Sequence, residues 1–184
     1  MTALEIIIEK YHFIEFPAAG EVNMFQSMSK EGLASKGAIL IGNVEEGLRQ
    51  YQSVILKGGK QAMEAFLMRC LEENNDKAYA DFYYAVLEKE QKEQFEAGLD
   101  EKEKSVFSEF ETDRGWVYYP LQEENLGFLA GITARNWLFS TFYFTGHKAV
   151  VWGNYNLEYP LFCEDLQTLE FYKNIAAECG LELL

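Results

Sequence analysis

Apolar residues recur at helical spacing through the first part of the chain and alternate in strand fashion after residue 115. Thr2 and Glu5 form a capping box ahead of Leu4, Ile7, Ile8, Tyr11 and Ile14, which predicts a helix over residues 2–16. The run Ile6-Ile7-Ile8 keeps a strand open as the alternative there. Residues 17–37, punctuated by glycine and serine, read as loop with at most a short turn of helix. The apolar run AILIG at 38–42 has the pattern of a buried strand. Asn43, three residues before Glu46, caps a second helix, with Val44, Leu48, Tyr51 and Ile55 on one face and Gly58-Gly59 as its end. Residues 60–112 read as wholly helical. Met63, Phe66, Leu67, Cys70 and Leu71 line a helix that stops at Asn74-Asn75, and Tyr79, Phe82, Tyr83, Val86 and Leu87 line the next. Its polar tail carries Glu88/Lys92 and Lys89/Glu93 at i,i+4 and stops at Gly98. Asp100 and Glu103 begin a third helix that turns Val106, Phe107 and Phe110 inward.

From residue 115 the period changes. GWVYYPL alternates as a strand does, while LGFLAGITARN fits either a short helix or a loop dipping into the core. Trp137–Phe144 and Ala149–Trp152 read as strands joined by the turn Thr145-Gly146-His147-Lys148. Gly153-Asn154 marks a further turn, and Leu157–Cys163 a third strand. Pro160 cannot donate to a ladder, which puts that strand at an edge. Asp165 caps a last helix with Leu166, Leu169, Tyr172, Ile175, Ala176 and Cys179 inward and Gly180 at its C′ position. The expected architecture is a single α+β domain, helix-rich over 1–113 and sheet-rich over 114–184. Its N-terminal and central helices precede an antiparallel meander of about four to five strands closed by a C-terminal helix.

Composition narrows the function classes. The chain has 184 residues, 48% hydrophobic and 15% aromatic, enough for a core without disulfide or metal staples. The formal net charge is −14, and residues 60–113 hold 15 acids against 7 bases. That balance argues against direct nucleic-acid binding and against docking on anionic lipid, both of which need a basic face. Cys70, Cys163 and Cys179 form no CxxC pair, the N-terminus has no secretory pattern, and no apolar run is long enough to span a bilayer. A reduced, cytoplasmic protein of bacterial type is expected.

Candidate chemistry is sparse. His147 falls in the turn that leads into the second strand, and Cys163 ends the third. Antiparallel pairing sets those positions at one end of the sheet, where histidine and cysteine could form a catalytic pair. Against this, Glu164 and Asp165 disfavour a thiolate, and alternation with Leu157, Tyr159 and Leu161 turns Cys163 toward the core. The glycine-lysine stretch LKGGKQ lacks phosphate-loop spacing, the acidic pairs Glu45-Glu46, Glu72-Glu73 and Glu123-Glu124 lack metal-site spacing, and neither cofactor nor metal is implied. The aromatic content is higher than one face of a small sheet needs. Trp116, Tyr118, Tyr143, Trp152, Tyr155 and Tyr159 therefore become candidate partner anchors if helices cover only one face, and core residues if they cover both.

The leading expectation is a non-enzymatic, acidic protein-binding module with a basic protein partner. Its most concrete form is an immunity- or antitoxin-type inhibitor, or a nucleic-acid mimic. The alternatives are a small-molecule-binding or hydrolase-like protein with a pocket near His147, Cys163 and Trp116, and a scaffold or homodimer built through the strand edge near Pro160.

Overall fold

The computed structural model describes residues 24–184. The helix expected over residues 2–16 and the start of the loop after it lie outside the described residues. Ser29 opens α1 (Lys30–Ser35) by accepting from the Gly32 amide, and Asn43 opens α2 (Val44–Gln50) by accepting from the Glu46 amide. Each satisfies an amide that the first turn leaves unpaired. There follow β1 (Gln52–Lys57), α3 (Lys60–Glu73), β2 (Ala78–Asp81), a 3-10 turn (Tyr83–Val86), α4 (Lys89–Gly98) and α5 (Glu101–Phe107). The remainder is β3 (Tyr118–Pro120), α6 (Glu123–Ala134), β4 (Phe142–Phe144), β5 (Ala149–Val151), β6 (Glu158–Cys163), α7 (Leu166–Glu178) and β7 (Glu182–Leu183). The fold is α+β, as expected, but its sheet is larger: among the described residues it has seven antiparallel strands in the order β3-β2-β4-β5-β6-β1-β7. No helix among the described residues is long and apolar enough to cross a membrane.

Two of the added strands come from stretches whose period suggested helix. Tyr51 turns extended and ends α2, and Gln52–Lys57 then pairs over its whole length with β6, from Gln52↔Cys163 to Lys57↔Glu158. The β-branched Val54 and Ile55 suit a pleated surface better than a helix. Ala78–Asp81 pairs on both sides, with β3 and with β4. Asn75 and Asp76, at φ 51° and 57°, reverse the chain immediately before it; these are residue types that tolerate the left-handed region. Conversely, residues 38–42 join no ladder and lie as an extended cover on the sheet, and only Phe142–Phe144 of the run 137–144 is paired. Leu166 is exposed, whereas Leu169, Tyr172, Ile175 and Ala176 face inward.

Pro160 does not mark an edge. β6 lies between β5 and β1, and Ile55 opposite Pro160 spends its own amide and carbonyl on Leu184. Pro160 is thereby directed toward Trp152, whose amide it accepts at 2.8 Å just beyond the last paired residues of β5. A missing donor costs little where a ladder ends.

Alternation sorts the sheet into two faces. Ala78, Ala80, Tyr119, Phe142, Phe144, Ala149, Val151, Tyr159, Leu161 and Cys163 join the main core beneath α3, α6 and α7. Phe82 leads that core past the sheet end, with ring contacts to Tyr84, Phe95, Phe107, Phe110, Tyr119 and Phe128. The opposite face carries Tyr79, Tyr118, Tyr143, Val150, Trp152 and Phe162, covered by Leu33 of α1, Ile39 and neighbouring residues of the 38–41 segment, and Val44 of α2. At Gly47 a Cβ would stand 2.6 Å from the Phe162 ring, so α2 reaches the sheet because that position is glycine. Replacing Phe82 with alanine is expected to cost about 3–5 kcal/mol of folding stability. Urea denaturation checks it: the midpoint should fall with the slope unchanged.

Candidate functional site

The second face is not covered to its end. Where β2 finishes and β4 begins, a cleft of about 600 Å³ opens between the 40–42 segment and the 152–155 turn. That volume lies in the range of small-ligand pockets. Its walls include Tyr83, Tyr118, Tyr143, Trp152 and Tyr155, with Leu138 and Phe139 closing one side and Lys30 on the rim. Tyr155 leans edge-on against Phe139 at 4.6 Å between ring centroids, and it is 61% exposed. The backbone can fold tightly here because Gly153 replaces a side chain: a Cβ at that position would sit 2.4 Å from the Ser140 carbonyl oxygen.

The floor is Asp81, the last residue of β2, which is 2% exposed. It clasps the start of β4. Its amide donates to the Thr141 carbonyl at 3.0 Å, the Thr141 amide donates to Oδ1 at 2.6 Å, and the Tyr143 hydroxyl donates to Oδ2 at 3.0 Å. None of the ion pairs among the described residues involves Asp81. Burial pushes its carboxyl up to about 7, and the hydrogen bonds from Thr141 and Tyr143 offset only part of that. The surrounding phenols are also raised: burial is the main cause for Tyr83, Tyr118 and Tyr143, and the Asp81 charge adds to each.

Sequence reasoning nominated four of these walls, Tyr118, Tyr143, Trp152 and Tyr155, and the fold brings them together. Trp116 is exposed beside a neighbouring shallow groove, with the Arg114 guanidinium 5.4 Å from its ring centre. Tyr159 is not a surface anchor: at 1% exposed it belongs to the main core, because its odd register in β6 turns it under the helices. Asp81 and Tyr83 were missed: Tyr83 was assigned to a helix face, and Asp81 lay within the stretch read as helical. The available signal was the sequence AYADFYY, a lone acid inside an apolar and aromatic run, where an unpaired charge needs a reason.

The His147 and Cys163 reading fares differently. Cys163 lies opposite Ala149, 0% exposed on the core side, and burial pushes its thiol up to about 12. A thiol held that way is not a nucleophile near neutral pH. His147 sits exposed in the β4–β5 turn with its ring against Phe171, while its backbone serves structure: its amide donates to Asn74 Oδ1 and its carbonyl accepts from the Tyr172 hydroxyl. No group of three or more His, Cys, Asp or Glu residues suited to a metal ion occurs among the described residues.

Asp81 predicts a specific pH dependence of stability. Its folded value lies above the ordinary carboxyl value, so the stability it contributes is complete below about pH 4 and is lost as pH rises through about 7. Asp81→Asn should therefore gain on the wild type between pH 4 and pH 8, by as much as roughly 4 kcal/mol at full extent, in paired urea titrations. In native protein, Cys179 should react with a thiol reagent well before the buried Cys70 and Cys163; mass spectrometry of the labelled peptides reads the order. The chain matches no family model, no curated protein and no solved structure.

Proposed function

We propose that this protein is an acidic binding module that holds a basic protein partner against the aromatic cleft, as an immunity- or antitoxin-type inhibitor does. One observation carries the reading: Tyr83, Tyr118, Tyr143, Trp152 and Tyr155 converge on one open end of an otherwise covered sheet face. Tyrosine and tryptophan supply large contact area at small entropic cost and dominate binding energy where they are found at interfaces. The net charge of −14 supports a basic partner, because complementary fields speed capture and discourage acidic competitors. A nucleic-acid mimic belongs to the same class and uses the same charge.

A second reading rests on Asp81. A carboxyl poised near neutrality at the bottom of a cleft has the property that general acid–base chemistry requires. On this reading the protein is a small-molecule binder or enzyme, with its centre at Asp81 rather than at Cys163. The homodimer reading loses the Pro160 edge, since β6 is an interior strand.

Immobilised protein exposed to native lysate of its source should retain one stoichiometric partner of high pI, released by molar salt as the field between the two is screened. Trp152→Ala with Tyr155→Ala should reduce its retention at least tenfold, in line with the loss of anchor residues. Retention that ignores both salt and the double substitution, or no retained partner at all, would overturn the proposal.

A further inference from the structure

We infer that the floor of the cleft receives an arginine side chain of the partner, its guanidinium set against the Asp81 carboxylate and its plane against the aromatic walls; this rests on the partner-binding reading above. The first ground is a buried carboxyl whose ionised form has no counter-ion among the described residues. Asp81 is buried, yet it takes part in no ion pair among the described residues. Buried charges in folded proteins are ordinarily paired, because desolvation without compensation is costly. A carboxylate accepts at about four positions. The Thr141 amide and the Tyr143 hydroxyl use two of them, and an incoming donor finds another.

The second ground is what surrounds that position. The walls are π faces, and Tyr83, Tyr118 and Tyr143 bring phenol oxygens to them. A guanidinium presents five donors in a rigid plane, stacks on aromatic rings and is more weakly hydrated than an ammonium. One donor can meet Asp81 while others meet phenol oxygens. An ammonium has three donors, no plane to stack, and a larger desolvation cost. A metal ion would need further carboxylate, histidine or cysteine ligands, and no such group occurs among the described residues. Lys30 on the rim opposes any cation and sets a modest threshold that only a well-matched one passes.

The test uses blocked tripeptides and the full chain, and needs no knowledge of the partner. Acetyl-Gly-Arg-Gly-amide, titrated in, should shift the Trp152 indole resonance saturably. The citrulline peptide, equal in shape and uncharged, should produce no saturable shift, and the lysine peptide should bind several-fold more weakly. Asp81→Asn should weaken the arginine peptide at least tenfold, and Lys30→Met should tighten it. No saturable shift with arginine, or equal binding of the citrulline peptide, would overturn the inference. So would an Asp81→Asn protein with a dispersed native spectrum and unchanged affinity. If Asp81→Asn fails to fold, the arginine and citrulline comparison on the wild type decides alone. The two readings fail separately. Cleft-dependent capture of a basic partner without arginine-peptide binding would remove this inference and leave the module. Arginine-peptide binding without any captured partner would remove the module and leave a free organic cation as the occupant.

Discussion

The pairing of β1 with β6 is the constraint on which the rest of the molecule depends. Six residues of β1 meet six of β6 in unbroken register, and the flanking Lys57 and Glu158, 101 residues apart, close it with an ion pair of 3.1 Å. Such a contact carries a large closure entropy, offset only when a long ladder and a buried side chain such as Leu56 form together. Once it forms, the early helices cannot lie elsewhere. α2 ends at Gln50, with only the extended Tyr51 before β1, and is held against Phe162, and α3 begins at Lys60 on the opposite face. The same insertion leaves β7 a place on the outer side of β1, where Leu184 exchanges both backbone hydrogen bonds with Ile55.

The cleft follows from the incompleteness of that arrangement. α1, the 38–41 segment and α2 cover the second face over β5 and β6, and the cover ends before the start of β4. At that margin Asp81 holds β4 to β2 by side chain beyond the last ladder pair, Ala80↔Phe142. The carboxyl therefore has a structural role already, and its burial is the cost of that role. What distinguishes it from an ordinary clasp is the company it keeps: phenols, an indole and open volume, with no cation within ion-pair distance among the described residues. Structure and recognition share one residue.

Much of the fold was legible where local chemistry is self-sufficient. Asn43, Asp100 and Asp165 each accept from the amide three residues on, as their spacing implied, and Gly180 adopts φ +79° after α7. Lys89 and Glu93 approach to 3.8 Å, but Glu88 instead caps α4 and Lys92 donates to the Ala85 carbonyl. The stretches wrongly read as helix are 52–57 and 78–86, where a short apolar run satisfies a helical period and an alternating one equally well. The partner across the ladder decides such cases, and that partner is remote in the chain. Within the site, the anchors Tyr118, Tyr143, Trp152 and Tyr155 could be picked out as surplus aromatics. Asp81 stood out only as a lone acid in the run AYADFYY, and its role depends on neighbours from β4 and β3 that are remote in the chain.

By itself the sequence determined the α+β class, the helix starts at Asn43, Asp100 and Asp165, the β4–β5 hairpin and the strong negative charge, since these depend on nearest neighbours or on simple counts. Tertiary structure alone decided that β6 is an interior strand, that Tyr159 and Cys163 belong to the core, and that Asp81 floors a cleft. The reason is physical. Which face of a strand meets solvent is set by register with segments far along the chain, and a shift of one residue would exchange every inward side chain for an outward one.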